Sequence, residues 1–214
     1  PISVAGATYL TTAVPGAGVL LNNPANSFAG NVTVNTSGVG ADADIRAASD
    51  LAFGVSNVGG SCTGVTSGML TLAGDISAGS TGDAIVLSAG ARFINAGNAS
   101  LSTTPLGRWL IWSANPDPFN ATTGDVRGGL AYDFKQYNAT FGATTPAQST
   151  ANGFLYTLAP TITPGLTGTA SKVYDGNTTA TLMAGNFIAS GAVDGDTVAL
   201  SATGATYDNK NAGT

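Results

Sequence analysis

The stretch GMLTLAGDISAGSTGDAIVLSAGARFINAGNASLSTTPLGRWLIWSANP, residues 68–116, decides the fold of this chain. Leu70-Thr71-Leu72 and Ile85-Val86-Leu87 each place apolar residues at their first and third positions, and each gives way within a few residues to Gly, Ser or Asp. Comparable triplets lie upstream at Val32-Thr33-Val34 and Leu51-Ala52-Phe53, so successive first residues are 19, 19 and 15 apart. A three-residue segment cannot bury its own apolar side. Segments that recur at a near-constant period do so by stacking as coils around one inner column. The spacing predicts an all-β fold in which residues 1–107 form a right-handed parallel β-helix.

Composition agrees with this reading. The 214 residues are 43% hydrophobic, only 9% charged and include 30 glycines. That is enough apolar material for a core but little for salt-bridged helices. No segment in residues 1–107 sustains the i, i+3, i+4 apolar spacing of an amphipathic helix. Asn22-Asn23, Asn57 and Gly59-Gly60 fall where coils turn, because Asn and Gly tolerate positive φ.

The twelve acidic residues are all Asp, against three Lys and four Arg, giving a net charge of −5 with no basic cluster to neutralise phosphates. Nucleic acid is excluded as an expected partner. There is no His, so the usual proton shuttle and commonest metal ligand are missing. Cys62 stands alone and reads as a buried thiol. No cofactor or metal is expected. No apolar run reaches the length of a membrane-spanning helix, and the start PISVAGATYL lacks the basic region and apolar core of a signal peptide. Neither end reads as a natural terminus, so the chain is expected to be an internal or processed piece.

From Arg108 the texture changes. Arg108-Trp109-Leu110-Ile111-Trp112, the turn-rich Asn115-Pro116-Asp117-Pro118, the aromatics Tyr132, Phe134, Tyr137 and Phe141, and Phe154-Leu155-Tyr156 hold half of the aromatic residues. An open β-helix end exposes apolar core and unpaired strand edges, so residues 108–160 are expected to be an aromatic cap and connector at which stacking stops. Pro160 and Pro164 mark a stiff boundary. Residues 161–214 then read as a small, incomplete antiparallel β-sandwich. Its turns are expected at Asp175-Gly176-Asn177 and Asp194-Gly195-Asp196, with a strand at Thr197-Val198-Ala199-Leu200.

Chemistry, if present, belongs to the cap. Asp117, Asp125 and Asp133 beside Trp109, Trp112 and Tyr132 form a mixture suited to binding or hydrolysing sugars, and Arg108 and Arg127 could clamp an acidic sugar. The same aspartates sit at turns, where Asp is favoured for backbone bonding alone, and the arginines can pair with them. The structural assignment is the expected one: no catalysis, with Arg108, Trp109, Trp112, Asp117, Arg127 and Tyr132 as carbohydrate-binding candidates. The two Asp-Gly turns lack the ligand spacing of calcium loops. Lys172 and Lys210 lie near Asn residues, the pair of groups that an intramolecular amide cross-link would join.

Several segments carry a resemblance. These are Asn22-Asn23-Pro24-Ala25-Asn26-Ser27-Phe28, the coils AGDISAG at 73–79 and IVLSAGARFINAG at 85–97, GRWLIWSANP at 107–116, YDFKQYNATFG at 132–142 and GFLYTLAPT at 153–161. In these the chain resembles the filamentous-haemagglutinin-like exoproteins of Gram-negative bacteria. KVYDGNTTAT at 172–181 resembles the opening of a YDG-type repeat. The resemblance implies a secreted or cell-surface adhesin, exported by two-partner secretion through an outer-membrane transporter, whose β-helix is continued by a stalk of small β domains. Its implied partners are a glycan or protein on a host or neighbouring cell, or further copies of itself in a fibre. The sequence stops at Asn209-Lys210-Asn211-Ala212-Gly213-Thr214, short of the strands that such a repeat implies; if those strands are absent from the protein, an edge open to a strand from a neighbour is expected.

Overall fold

The computed structural model describes residues 1–117 and 120–211. The chain divides into two compact units, Pro1–Ala159 and Pro160–Thr214. Pro118 of the expected Asn-Pro-Asp-Pro turn and the final Ala212-Gly213-Thr214 lie outside the described residues. Among the described residues, no helix is long and apolar enough to cross a membrane.

The first unit is a parallel β-solenoid of about seven turns. Three short strands make each central coil. Leu51–Phe53, Ser56–Val58 and Cys62–Thr66 form one coil, Leu70–Leu72, Ile76–Ala78 and Gly82–Ala89 the next, and Phe93–Ile94, Leu101–Thr103 and Gly107–Ser113 the third. Each strand pairs in parallel with its counterparts in the neighbouring coils. Leu70 lies between Leu51 and Phe93, Ile76 between Ser56 and Leu101, and Ile85 between Cys62 and Trp109. The chain thus advances 19 residues from Leu51 to Leu70, 23 from Leu70 to Phe93 and 25 from Ile76 to Leu101.

Because strand side chains alternate, the register produces unbroken inner columns. One runs Val19, Ala43, Cys62, Ile85, Trp109; another runs Leu21, Ile45, Gly64, Leu87, Ile111, Phe154. Nearly all of these side chains are buried, and the apolar ones belong to one continuous core. Gly64 is a tight point of the inner core: a Cβ there would lie 2.4 and 2.7 Å from the ring carbons of Phe53. The glycine leaves room for the phenylalanine.

The corners use Asp as coil-to-coil staples. Asp42 accepts from the backbone N–H of Ser61 at 2.6 Å, Asp50 from Met69 at 2.8 Å, Asp75 from Ser100 at 2.7 Å and Asp133 from Asn152 at 2.9 Å. In each case a carboxylate on one coil satisfies an amide where the next coil turns, which the strand ladders leave unpaired. Ser100 bonding also holds the Asp75 carboxyl below its ordinary range, the backbone N–H being the larger cause.

Two expectations need correction. The triplets at Val32, Leu51 and Leu70 share one sheet, but Ile85-Val86-Leu87 belongs to another, and Phe93 is what stacks on Leu70. The irregular offset of 15 marks a change of face rather than a short coil. Nor does stacking stop at Arg108. Gly107–Ser113 is a full rung that pairs in parallel with Gly82–Ala89 on one side and Gly153–Tyr156 on the other. Phe134–Gln136 then pairs with Gly153–Tyr156 as the edge of the seven-stranded sheet. The apolar run Trp109–Trp112, bulky enough to suggest a lid, is buried on both faces instead.

In the second unit Thr163–Leu166 pairs antiparallel with Phe187–Ser190, and a bridge joins Thr179 to Thr206. Pro164 is accommodated because a two-stranded sheet consists only of edges. Asp175-Gly176-Asn177 and Asp194-Gly195-Asp196 are turns, with Gly176, Asp194 and Gly195 at positive φ. Thr197–Leu200, expected as a strand, carries none. No described residue from 160 to 211 is buried.

The Gly64–Phe53 contact yields a test by equilibrium unfolding. Gly64→Ala should destabilise the solenoid by about 1–3 kcal/mol through overpacking. Adding Phe53→Leu should recover part of that loss although Phe53→Leu alone destabilises. Additive losses in the double variant would show that the two positions do not share the space.

Candidate functional site

The candidates from the sequence fall near the last coils, in three separate settings. Arg108 and Trp109 belong to the rung Gly107–Ser113. Arg108, only 6% exposed, donates through Nε to Asp83 Oδ1 at 2.5 Å across the adjacent rung and through Nη1 to the carbonyl of Gln148. It ties the excursion between the last two rungs back to the solenoid wall. Trp109 points into the core, where its ring meets Phe154 edge-on at 5.4 Å between centroids, and its backbone N–H donates to Asn152 Oδ1 at 2.9 Å.

Trp112 faces outward but is not exposed. It joins Leu110, Ala139 and Leu155 in a second apolar cluster, flanked by Val86, Phe134 and Phe141. Phe141 meets the indole edge-on at 5.7 Å. The segment containing Phe134 to Phe141 thus covers the outer face of the final rungs. Trp109 and Trp112, which the sequence offered as core lid first and sugar platform second, present no free ring face to solvent at 4% and 5% exposure.

The third setting closes the core. Val126 bridges to Ile94 in parallel, so residues 125–127 add one more rung above Phe93–Ile94. Val126 N–H donates to the Phe93 carbonyl at 2.9 Å and Asn95 N–H to the Val126 carbonyl at 2.6 Å. Val126 is partly exposed, while Asp125 and Arg127 turn inward and are 1% and 9% exposed. At the end of the core the inward positions therefore change from apolar to charged.

Both Asp125 oxygens are occupied. Oδ1 accepts the Phe93 N–H at 2.9 Å and Oδ2 accepts the Ser113 hydroxyl at 2.7 Å. Burial pushes its carboxyl up to about 6, against the lowering effects of those two bonds and of the Arg127 and Arg92 charges. Arg127 Nε donates to the Tyr156 hydroxyl at 2.8 Å, Nη1 to the Tyr132 hydroxyl at 3.3 Å and Nη2 to the Pro116 carbonyl at 3.2 Å. Its guanidinium also lies within 5.1–5.4 Å of the ring centres of Tyr132, Phe154 and Tyr156. Stacking and hydrogen bonding together allow a buried guanidinium here. Arg92 holds the approach to this rung by donating to the carbonyls of Gly124 and Thr122 at 2.9 and 3.0 Å.

The structure thus unites Arg127 and Tyr132 with Asp125, Ser113 and Tyr156. Arg108 and Trp112 lie in other surroundings. Asp117 is at a turn, its N–H donating to Asn115 Oδ1 at 3.0 Å, and Asp133 serves as a corner staple. Ser113, Arg92 and Asn95 were not singled out by sequence, and Tyr156 only as an aromatic of the expected cap. Asp125-Val126-Arg127 carried the relevant signal, since charged residues flanking one apolar residue have the period of a strand whose polar side faces in.

Cys62 is buried in an inner column, which pushes its thiol up to about 12 and leaves it protonated. Among the described residues no group of three or more acidic or thiol side chains could hold a metal ion. In the second unit Lys172 Nζ lies 2.6 Å from Asn177 Oδ1 and 2.7 Å from Asp175 Oδ1, while Asn177 Nδ2 donates to Asp175 Oδ2 at 2.8 Å. The Lys172 hydrogen bond is the main cause that holds the Asp175 carboxyl below its ordinary range. These contacts join Lys172, Asp175 and Asn177 side chain to side chain and clamp the turn.

A family model described as the YDG domain matches residues 157–214, a region that includes this clamped turn. No curated protein and no solved structure matches the chain.

Two measurements follow from these contacts. Asp125 has a raised carboxyl pKa in the folded state, so its contribution to stability is greatest at low pH and is lost as pH rises through about 6. Between pH 5 and pH 8 the melting temperature should fall, a window that covers about 1.4 kcal/mol of the roughly 3 kcal/mol that a shift of this size involves. Asp125→Asn should flatten that dependence; an unchanged slope would exclude Asp125 as its source. Separately, the intact mass of the chain made in a heterologous host should equal that of its residues, whereas a deficit of one ammonia would reveal a Lys172–Asn177 amide.

Proposed function

We propose that this chain is a non-catalytic structural and adhesive segment of a large exported surface protein, in which a β-solenoid rod precedes a stalk module. The observation that carries the reading is the closure of the core by Asp125 and Arg127. Asp125, one of the three candidate acids, and Arg127, one of the two candidate sugar clamps, are both buried and engaged with the protein's own groups. A general acid or a ligand clamp must reach substrate, and these two reach Ser113, Phe93 and Tyr156 instead.

Repetition supports a mechanical role. Parallel backbone ladders and inner columns extend a rod by one rung at a time, with neighbour contacts carrying the stability. The YDG-domain match over residues 157–214 agrees with a stalk module after the rod. Export by two-partner secretion and a Gram-negative cell surface belong to the same proposal and rest on the sequence resemblance. The target is a glycan or protein on a host or neighbouring cell, or another copy of the chain in a fibre.

Beads coated with residues 1–214 test this reading against cultured cells and against acidic polysaccharides. Coated beads should be retained on cells above albumin-coated controls, with no increase in reducing ends when the protein is incubated with polysaccharide. Retention no greater than the control would remove the adhesive role. Polysaccharide turnover that disappears in Asp125→Asn or Asp117→Asn would replace it with an enzyme.

A further inference from the structure

We propose that Asn98 and Asn138 are acceptor sites for asparagine-linked glycosylation, an inference that rests on the reading of the chain as an exported surface protein. The pattern Asn-x-Ser/Thr, with x other than Pro, occurs at Asn31, Asn35, Asn98, Asn120, Asn138 and Asn177. The structure separates these six. Transfer of a sugar requires an asparagine amide that a transferase can surround, with its nitrogen uncommitted and the hydroxyl two residues on within the same accessible turn.

Asn98 and Asn138 meet the requirement in the same way. Both are exposed, and both lie in the left-handed region, with φ of 54° and 53°. Among the described residues neither carboxamide has a hydrogen-bond partner. Each is followed by an anchored alanine. Ala99 donates to Asn95 Oδ1 at 2.8 Å and accepts from Asn95 Nδ2 at 2.9 Å; Ala139 is buried in the outer cluster and donates to the Tyr156 carbonyl at 2.8 Å. Anchoring at the next residue presents each asparagine on a fixed corner. Ser100 and Thr140, which complete the motifs, are exposed.

The other four are less suited. Asn177 Nδ2 donates to Asp175, and its Oδ1 accepts from Lys172. Asn120 Oδ1 accepts the N–H groups of Thr122 and Thr123. Asn31 immediately precedes the strand Val32–Asn35, so its Thr33 lies within a paired rung, and Asn35 is half-buried at that strand's end.

The co-reactant is a glycosyl pyrophosphate, carried on a nucleoside or a polyprenol, together with its transferase. Asn Nδ2 forms a bond to the anomeric carbon as that carbon's bond to the pyrophosphate oxygen breaks. The carrier pyrophosphate leaves with the electron pair, and the amide loses one proton to a base of the transferase. No oxidation is involved.

Mass spectrometry of protein recovered from the surface of its native cells tests the proposal, using fragmentation that retains sugars on peptides. Sugar is expected on Asn98 and Asn138, and it should disappear from each site in Ser100→Ala and Thr140→Ala, respectively. These variants keep the asparagines at positive φ, and Ser100→Ala preserves the backbone bond to Asp75. Sugars added singly would indicate a nucleotide carrier, and one uniform preassembled chain a polyprenol carrier; either supports the proposal. Bare Asn98 and Asn138 in surface-exposed protein would overturn it while leaving export intact. Sugar that persists in both alanine variants would also overturn it. Protein found only inside the cells would instead defeat the export reading.

Discussion

Each coil of the solenoid is joined to the next twice, by backbone bonds along the rungs and by inward side chains stacked in columns. The two requirements act on the same residues. Parallel register brings like positions over one another at a rung spacing of about 4.8 Å, so a side chain's volume is constrained by the coils before and after it. Gly64 shows the constraint directly, because Phe53 occupies the volume that a larger residue there would need. Cys62 shows it in another form: its neighbours Ala43 and Ile85 leave the thiol no route to water.

A stacked core must also end. Large apolar residues alone would leave another apolar surface, and a bare polar end would leave buried groups unsatisfied. In this chain the inward positions change to Asp125 and Arg127, and the aromatic rings of Tyr132, Phe154 and Tyr156 surround the guanidinium. Arg127 is thereby both a polar terminus and a packing element. The outer face is closed separately by the cluster around Trp112, Phe134 and Phe141, so the aromatic-rich region completes two surfaces with different chemistry.

Alternating triplets and glycine-rich turns made the solenoid legible in the sequence, because the inner columns impose a period on apolar residues. The assignment of faces was less legible. Ile85-Val86-Leu87 has the same local pattern as Leu70-Thr71-Leu72, yet it lies on another sheet, and only the neighbouring coils distinguish the two. Trp109 and Trp112 illustrate the same limit: aromatic residues suit a lid, a ligand platform or a fully covered strand equally well until the packing is known. The charged pair was visible, but its inward direction depends on the bridge between Val126 and Ile94. In the second unit, the alternation at Thr197–Leu200 met no pairing partner among the described residues, and a strand requires one.

The unequal advances from coil to coil separate length from register. Nineteen residues carry the chain from Leu51 to Leu70 and 25 carry it from Ile76 to Leu101, yet both pairs stack in parallel. The extreme case lies between Ser113 and Gly153, where the chain adds the rung at 125–127 and the edge strand Phe134–Gln136 before Gly153–Tyr156 stacks in register on Gly107–Ser113. Corners therefore serve as places where sequence can lengthen while the columns remain aligned. Such an architecture can acquire new surface loops one corner at a time, with the rod itself as the part that stays constant.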